Sequence, residues 1–135
     1  ISNANSIFAN AKALSILDFT GTTVKATNMQ NCFSGCRSLR NLDLSGWDMS
    51  EVTNITNAFN GCESLVHLKL QNLPALAVNF SQCALLSVES LVGIIAALPA
   101  LGDGTTLTCT LGATNTAKLT EDQIAVATAK GWTIA

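Results

Sequence analysis

The chain has 135 residues, of which 48% are hydrophobic and 12% charged, with a formal net charge of -2. This is enough apolar material for one domain with a sizeable core, and it excludes a disordered tail, which needs low hydrophobicity and high charge. No block of Lys and Arg supplies an electrostatic footprint for nucleic acid or anionic lipid, and one His with no Tyr leaves little material for acid–base chemistry.

In chain order, the first twelve residues, ISNANSIFANAK, contain neither the basic n-region nor the apolar h-region of a signal peptide. They lie inside a repeat, so we expect a longer parent protein. The repeat is clearest further on. NMQNCFSGCRSLRNLDLS starts at Asn28 and NITNAFNGCESLVHLKLQ at Asn54, 26 residues later, with nine of 18 positions identical. Chance would give about one. An earlier copy from Asn3 keeps Phe8, Leu14, Leu17 and Asp18, and a degenerate fourth copy contributes Phe80, Cys83 and Leu86. A period of this length predicts an α/β repeat solenoid, in which each coil buries its apolar face against its neighbours.

Within each repeat, Ile16-Leu17-Asp18-Phe19, Leu42-Asp43-Leu44 and Leu68-Lys69-Leu70 alternate in polarity as short strands do. Stacking the copies predicts a parallel sheet along one side. NMQNCFSGC and NITNAFNGC form the opposite side, read as single helical turns with a glycine stop. The predicted interior is a ladder of Phe8, Phe33, Phe59 and Phe80, with Cys36, Cys62, Cys83, Leu39, Leu42, Leu44, Leu65, Leu68 and Leu70 beside it. The five cysteines are odd in number, so at least one is unpaired within the monomer. At repeat positions beside core residues they read as small buried hydrophobes. Cys32-x-x-x-Cys36 lacks the second pair or the histidine that zinc needs.

After Leu86 the repeat gives way to a predicted cap. Ser87 opens a helix with Leu91, Ile94, Ile95 and Leu98 on one face, ended by Pro99 and Gly102. The apolar run Leu91–Leu101 is too short to span a bilayer. Thr105–Leu111 alternates as a strand, Thr120-Glu121-Asp122-Gln123 is a capping box, Lys130 and Gly131 close the second helix, and Trp132–Ile134 forms a last strand. We expect these two strands to extend the parallel sheet. One domain results, with repeats over 1–86 and a helix–strand–helix–strand cap over 87–135.

AFNGCESLVHLKL and CFSGCRSLRNLDLSGWDMSEVTNI resemble the short leucine-rich repeats of BspA-like bacterial surface proteins, in the variant LDLSxxDxSxVTNMxxMFxxCxSL. The tail resembles the C-terminal ends of similar repeat proteins from gut bacteria and their phages. The resemblance covers 28–70 strongly, 3–27 moderately and 75–86 weakly, and departs where Ala58 and Cys32 stand for Met. It implies a right-handed leucine-rich-repeat superhelix, a location on the cell surface or in the secreted fraction, and non-enzymatic adhesion to host protein or glycan. It carries no residue-level binding code.

The outward strand positions differ between copies: Ser15, Ile16 and Asp18; Arg40, Asn41 and Asp43; Val66, His67 and Lys69. Arg40, Asn41, Asp43, His67 and Lys69 form the candidate binding face. Trp47, in the turn after a strand and opposite Thr22 and Leu73 in the ungapped repeat, is its candidate aromatic anchor. Asp18 and Asp43 have the separation of a glycosidase pair. On a strand surface with no cleft signal they read instead as solvated, with Lys69 balancing Asp43. His67 has no nucleophile and orienting carboxylate to work with, and no Asp-rich calcium loop occurs. Asn54-Ile55-Thr56 and Asn79-Phe80-Ser81 match the glycosylation sequon but coincide with repeat turns. The sequence thus predicts a binding module with no catalytic residues, metal or cofactor. The alternative is a spacer or end-piece of a larger surface or phage-associated protein.

Overall fold

The computed structural model describes residues 2–135 as a small α/β protein. Its elements are β1 (Ile16–Asp18), β2 (Val24–Lys25), β3 (Asn41–Asp43), β4 (Trp47–Asp48), β5 (His67–Lys69), β6 (Val78–Asn79), α1 (Val88–Ala97), β7 (Leu107–Thr110), α2 (Ala113–Thr116), α3 (Glu121–Ala129) and β8 (Trp132–Ile134). All strand pairs are parallel. β1, β3 and β5 form one sheet, in which Leu17, Leu42 and Leu68 lie side by side. β2 pairs with β4, and β6, β7 and β8 form a third sheet.

The side opposite β1, β3 and β5 is not helical. Asn31 has φ 55° and Gly35 φ 75°, and their counterparts Asn57 and Gly61 have φ 57° and 76°. Two left-handed residues four apart cannot sit in one right-handed turn. They tip alternate peptides along the stack instead. Met29, Asn31, Phe33 and Gly35 donate their N–H groups to the carbonyls of Asn54, Thr56, Ala58 and Asn60 in the next repeat, at 2.8–3.0 Å. Ala4, Ser6, Phe8 and Asn10 donate likewise to Asn28, Gln30, Cys32 and Ser34. The intervening N–H groups close local turns, Cys32 onto Met29 and Ser34 onto Asn31. Backbone groups are thereby satisfied without a helix or a long strand. Asn and Gly suit the positions because they tolerate φ > 0.

The phenylalanines stack through this wall. Ring centroids are 5.5 Å apart for Phe8–Phe33, 5.8 Å for Phe33–Phe59 and 4.8 Å for Phe59–Phe80. Phe33, Phe59 and Phe80 are buried with Leu39, Leu42, Leu44, Leu65 and Leu68, while Phe8 and Leu70 are half-buried at the margins. Each fully buried large side chain contributes roughly 1.5–3 kcal/mol. Ring pairing of this kind adds about 0.5–1.5 kcal/mol.

All five cysteines are buried free thiols. Three of them cross-tie the repeats. Cys36 Sγ donates to the Phe8 carbonyl at 3.1 Å, Cys62 to Phe33 at 3.2 Å and Cys83 to Phe59 at 3.5 Å. Burial pushes the Cys32 and Cys109 thiols up to about 12. Contact with Cys83, then burial, raises Cys62.

The repeat is not carried without gaps. Leu17 pairs with Leu42, but Val24 pairs with Trp47 and Thr53 N–H donates to the Thr27 carbonyl. The first repeat is two residues longer before this corner, and the second is three longer after it. Trp47 is therefore the partner of buried Val24, not of Thr22. It is completely buried, with Phe19 and Phe33 rings at 5.2 and 6.0 Å. Gly46 permits this register, because a Cβ there would collide with the Thr22 carbonyl.

The cap departs from expectation in two respects, the placement of its sheet and a short extra helix. β7 and β8 do not extend the sheet of β1, β3 and β5. Ser87 N–H donates to the Val66 carbonyl at 3.0 Å and Leu68 N–H donates to Ser90 Oγ at 2.9 Å, so the start of α1 occupies the bonding edge of β5. The next strand, β6, directly precedes Phe80, and β7 and β8 continue from it on the aromatic side. α1 begins at the Ser87 N-cap and α3 at the Thr120–Gln123 capping box. A short helix, α2, precedes α3. Lys130 Nζ donates to the carbonyls of Ile95, Ala96 and Leu98. It thereby caps the end of α1, where helix geometry leaves terminal carbonyls without their usual partners, and shares the Ile95 carbonyl with the Leu98 N–H.

Two outcomes follow. Phe33→Ala removes the ring held between Phe8 and Phe59 and is expected to cost about 3–5 kcal/mol in urea unfolding. The thiols should resist a disulfide reagent at pH 8 and all five should react in denaturant. The raised folded pKa values of Cys32 and Cys109 favour the native state fully below the unfolded thiol pKa, about 8.5. That stabilisation is lost as pH rises toward about 12, by up to about 1.4 kcal/mol per pH unit per thiol.

Candidate functional site

The outward side chains of β1, β3 and β5 line an open groove of about 430 Å³. Three strand rows make its floor. Ile16, Asn41 and His67 form one column in register, Asp18, Asp43 and Lys69 another, and Leu17, Leu42 and Leu68 lie between them. The first turn of α1 closes one end with Glu89 and Ser90. Asn41 and Asp43 are half-buried, while His67 and Lys69 are exposed.

The acidic column has a local task. Asp18 Oδ1 accepts from the amide of Thr20 at 2.7 Å and from its hydroxyl, and Asp43 Oδ1 accepts from the Ser45 amide at 2.9 Å. These Asx turns end the strands. The Thr20 hydrogen bonds hold the Asp18 carboxyl below its usual range. Asp18 is thus an ionised turn former, the opposite of a general acid, which needs a raised pKa. Among the described residues Lys69 makes no ion pair with Asp43, and the bridge present is Lys25–Glu51 at 3.1 Å.

Ser90 is almost fully buried. Its hydroxyl donates to the Val66 carbonyl and accepts from Leu68 N–H and from the Ser87 hydroxyl, each at 2.9 Å. It is committed to closing the sheet edge, not to His67. Among the described residues no three His, Cys, Asp or Glu side chains converge as a metal site, and no helix is long and apolar enough to cross a membrane.

The structure therefore brings Asn41, Asp43, His67 and Lys69 together and leaves Arg40 exposed beyond the groove lining. Trp47 is removed from the face altogether: its indole lies in the interior. Ile16, 61% exposed, and Glu89 join the groove. Ile16 was legible as an outward strand residue. Glu89 carries no such local signal, because its place here depends on how α1 packs against β5. The two sequons are Asx turns: Asn54 Oδ1 accepts from Thr56 N–H at 3.0 Å, and Asn79 Oδ1 from Ser81 N–H at 2.9 Å.

Ser90→Ala should strand the Leu68 N–H, costing about 1–3 kcal/mol, while the Val66 carbonyl keeps the Ser87 N–H. Urea unfolding measures the loss, and amide exchange should accelerate at Leu68 in particular.

Residues 1–84 match the model of a family described as Mycoplasma protein of unknown function, DUF285. No curated protein and no solved structure matches the chain.

Proposed function

We propose that this chain, which belongs to the DUF285 family, is a non-enzymatic binding module that offers the groove over β1, β3 and β5 to a protein or glycan. We further propose that its repeats form a right-handed solenoid of the BspA-like leucine-rich type and that it acts on a cell surface or as a secreted protein. The observation that carries the reading is the contrast within one sheet. The inward row is leucine in every copy, Leu17, Leu42 and Leu68, while the outward rows run Ile16, Asn41, His67 and Asp18, Asp43, Lys69. A constant frame carrying mixed chemistry over a concave surface suits recognition. In the groove, Asp18 and Asp43 each hold a turn amide and the Ser90 hydroxyl is committed to the sheet edge.

A screen of the purified chain against host proteins and glycans tests this. Replacing Asn41 and His67 with Ala, Asp43 with Asn and Lys69 with Ala together should weaken a bound partner at least tenfold, about 1.4 kcal/mol. The melting temperature should hold, since Asp43→Asn keeps the turn acceptor. Binding that survives the fourfold variant removes the groove from consideration. A screen without any partner favours a spacer role.

A further inference from the structure

We propose that the cavity beside the second half of α1 is a further binding site, which seats an apolar side chain of an extended polypeptide whose basic residue lies against the acidic column of the groove. This rests on the reading of the groove over β1, β3 and β5 as a binding face, and it names the class of the partner. The cavity is open and holds about 440 Å³. It abuts the groove. Lys69 ends the lining of one and Leu70 begins the lining of the other, and along α1 the same division falls between Ser90 and Gly93.

Gly93 is the observation that points to a ligand. After proline, glycine is the least favourable residue in a helix interior, so its place in the middle of α1 needs a cause. The fold supplies none. Gly93 has no positive φ, and a Cβ there would meet no atom within 4 Å. Gly46 is the contrast, since a Cβ there would collide with the Thr22 carbonyl. A bare helix backbone on a cavity wall admits a partner to closer approach than any other residue would. The rest of the wall is made for apolar contact. Leu70, Leu73, Ala97 and Leu98 line it, and no charged side chain does. Leu73 N–H donates to the Ala97 carbonyl at 3.1 Å, which ties the two sides of the cavity together.

The adjoining groove has the opposite character. Asp18, Asp43 and Glu89 set three negative charges there against the one positive charge of Lys69. Complementarity therefore asks for Lys or Arg in the groove and an aliphatic side chain against Gly93. A polypeptide supplies both within a few residues, with its own backbone as the link. A neutral glycan offers neither, and no aromatic ring lines either cavity to stack on a sugar face. A second copy of this chain would bring the same net charge of -2.

The test is selection of random linear twelve-residue peptides on the purified chain, then calorimetric titration of the selected peptides, with a neutral oligosaccharide array in parallel. The selected peptides are expected to pair an aliphatic residue with a nearby Lys or Arg. Gly93→Gln fills the cavity from an open helix position. It should weaken binding at least tenfold while the melting temperature holds or rises, because Gln favours helix over Gly. Exchanging the peptide Lys or Arg for Glu should weaken binding by as much, and so should the fourfold groove variant. Peptides that depend on the groove but bind Gly93→Gln unchanged would overturn this site and leave the groove reading standing. Oligosaccharide binding with no peptide selected would do the same. Peptides lost with Gly93→Gln yet indifferent to the fourfold variant would overturn both, since the acidic column would take no part. A lower melting temperature of Gly93→Gln would assign the glycine to the fold, and a dimer of the chain broken by Gly93→Gln would assign the cavity to self-association. Either result, or the selection of no ligand at all, sinks the proposal.

Discussion

The structure depends on a backbone that bonds in two directions at once. Left-handed residues at Asn31 and Gly35, and again at Asn57 and Gly61, turn alternate peptides along the stack while their neighbours close local turns. Without that alternation the phenylalanine wall would need either a helix, which bonds only within itself, or a strand, which cannot turn so tightly. With it, successive repeats approach closely enough for the rings to stack and for the thiols of Cys36, Cys62 and Cys83 to reach the phenylalanine carbonyl of the preceding repeat. The repeating Asn, Phe, Gly and Cys are thus one device for adding a layer.

The same device separates structure from recognition. Inward leucines and the aromatic wall carry the stability, so the outward rows of β1, β3 and β5 are free to differ between copies. The cap then adds shape. By placing Ser87 and Ser90 on the bonding edge of β5, α1 ends that sheet and raises a wall at one end of the groove. Sheet growth passes to the aromatic side, through β6, β7 and β8, and Lys130 ties the last turn of α3 to the end of α1.

Trp47 shows where reading a repeat by fixed spacing fails. Its candidacy for the binding face rests on an ungapped comparison that sets it against Thr22. Compensating length differences on either side of the corner bring it opposite Val24 instead, and the indole fills the space between Phe19 and Phe33. The turn wall failed for a related reason. Asn and Gly at the right spacing suit a helix end as well as a left-handed turn, and local chemistry does not distinguish the two. Neighbouring repeats do, because they supply the carbonyls that make the second geometry favourable.

The sequence by itself determined the period, the inward ladder of Phe, Leu and Cys, the short strands with their outward rows, and the start of each long cap helix. These depend on polarity alternation and capping chemistry, which act over a few residues and repeat visibly. Only the tertiary structure decided that the third sheet leaves the first, that Glu89 and Ser90 close the groove, that Trp47 is interior, and that Gly93 faces an open cavity beside the loop after β5. Each of those depends on which backbone groups and side chains meet across 20 residues or more, where small length differences in the corners set the register and no local pattern records it.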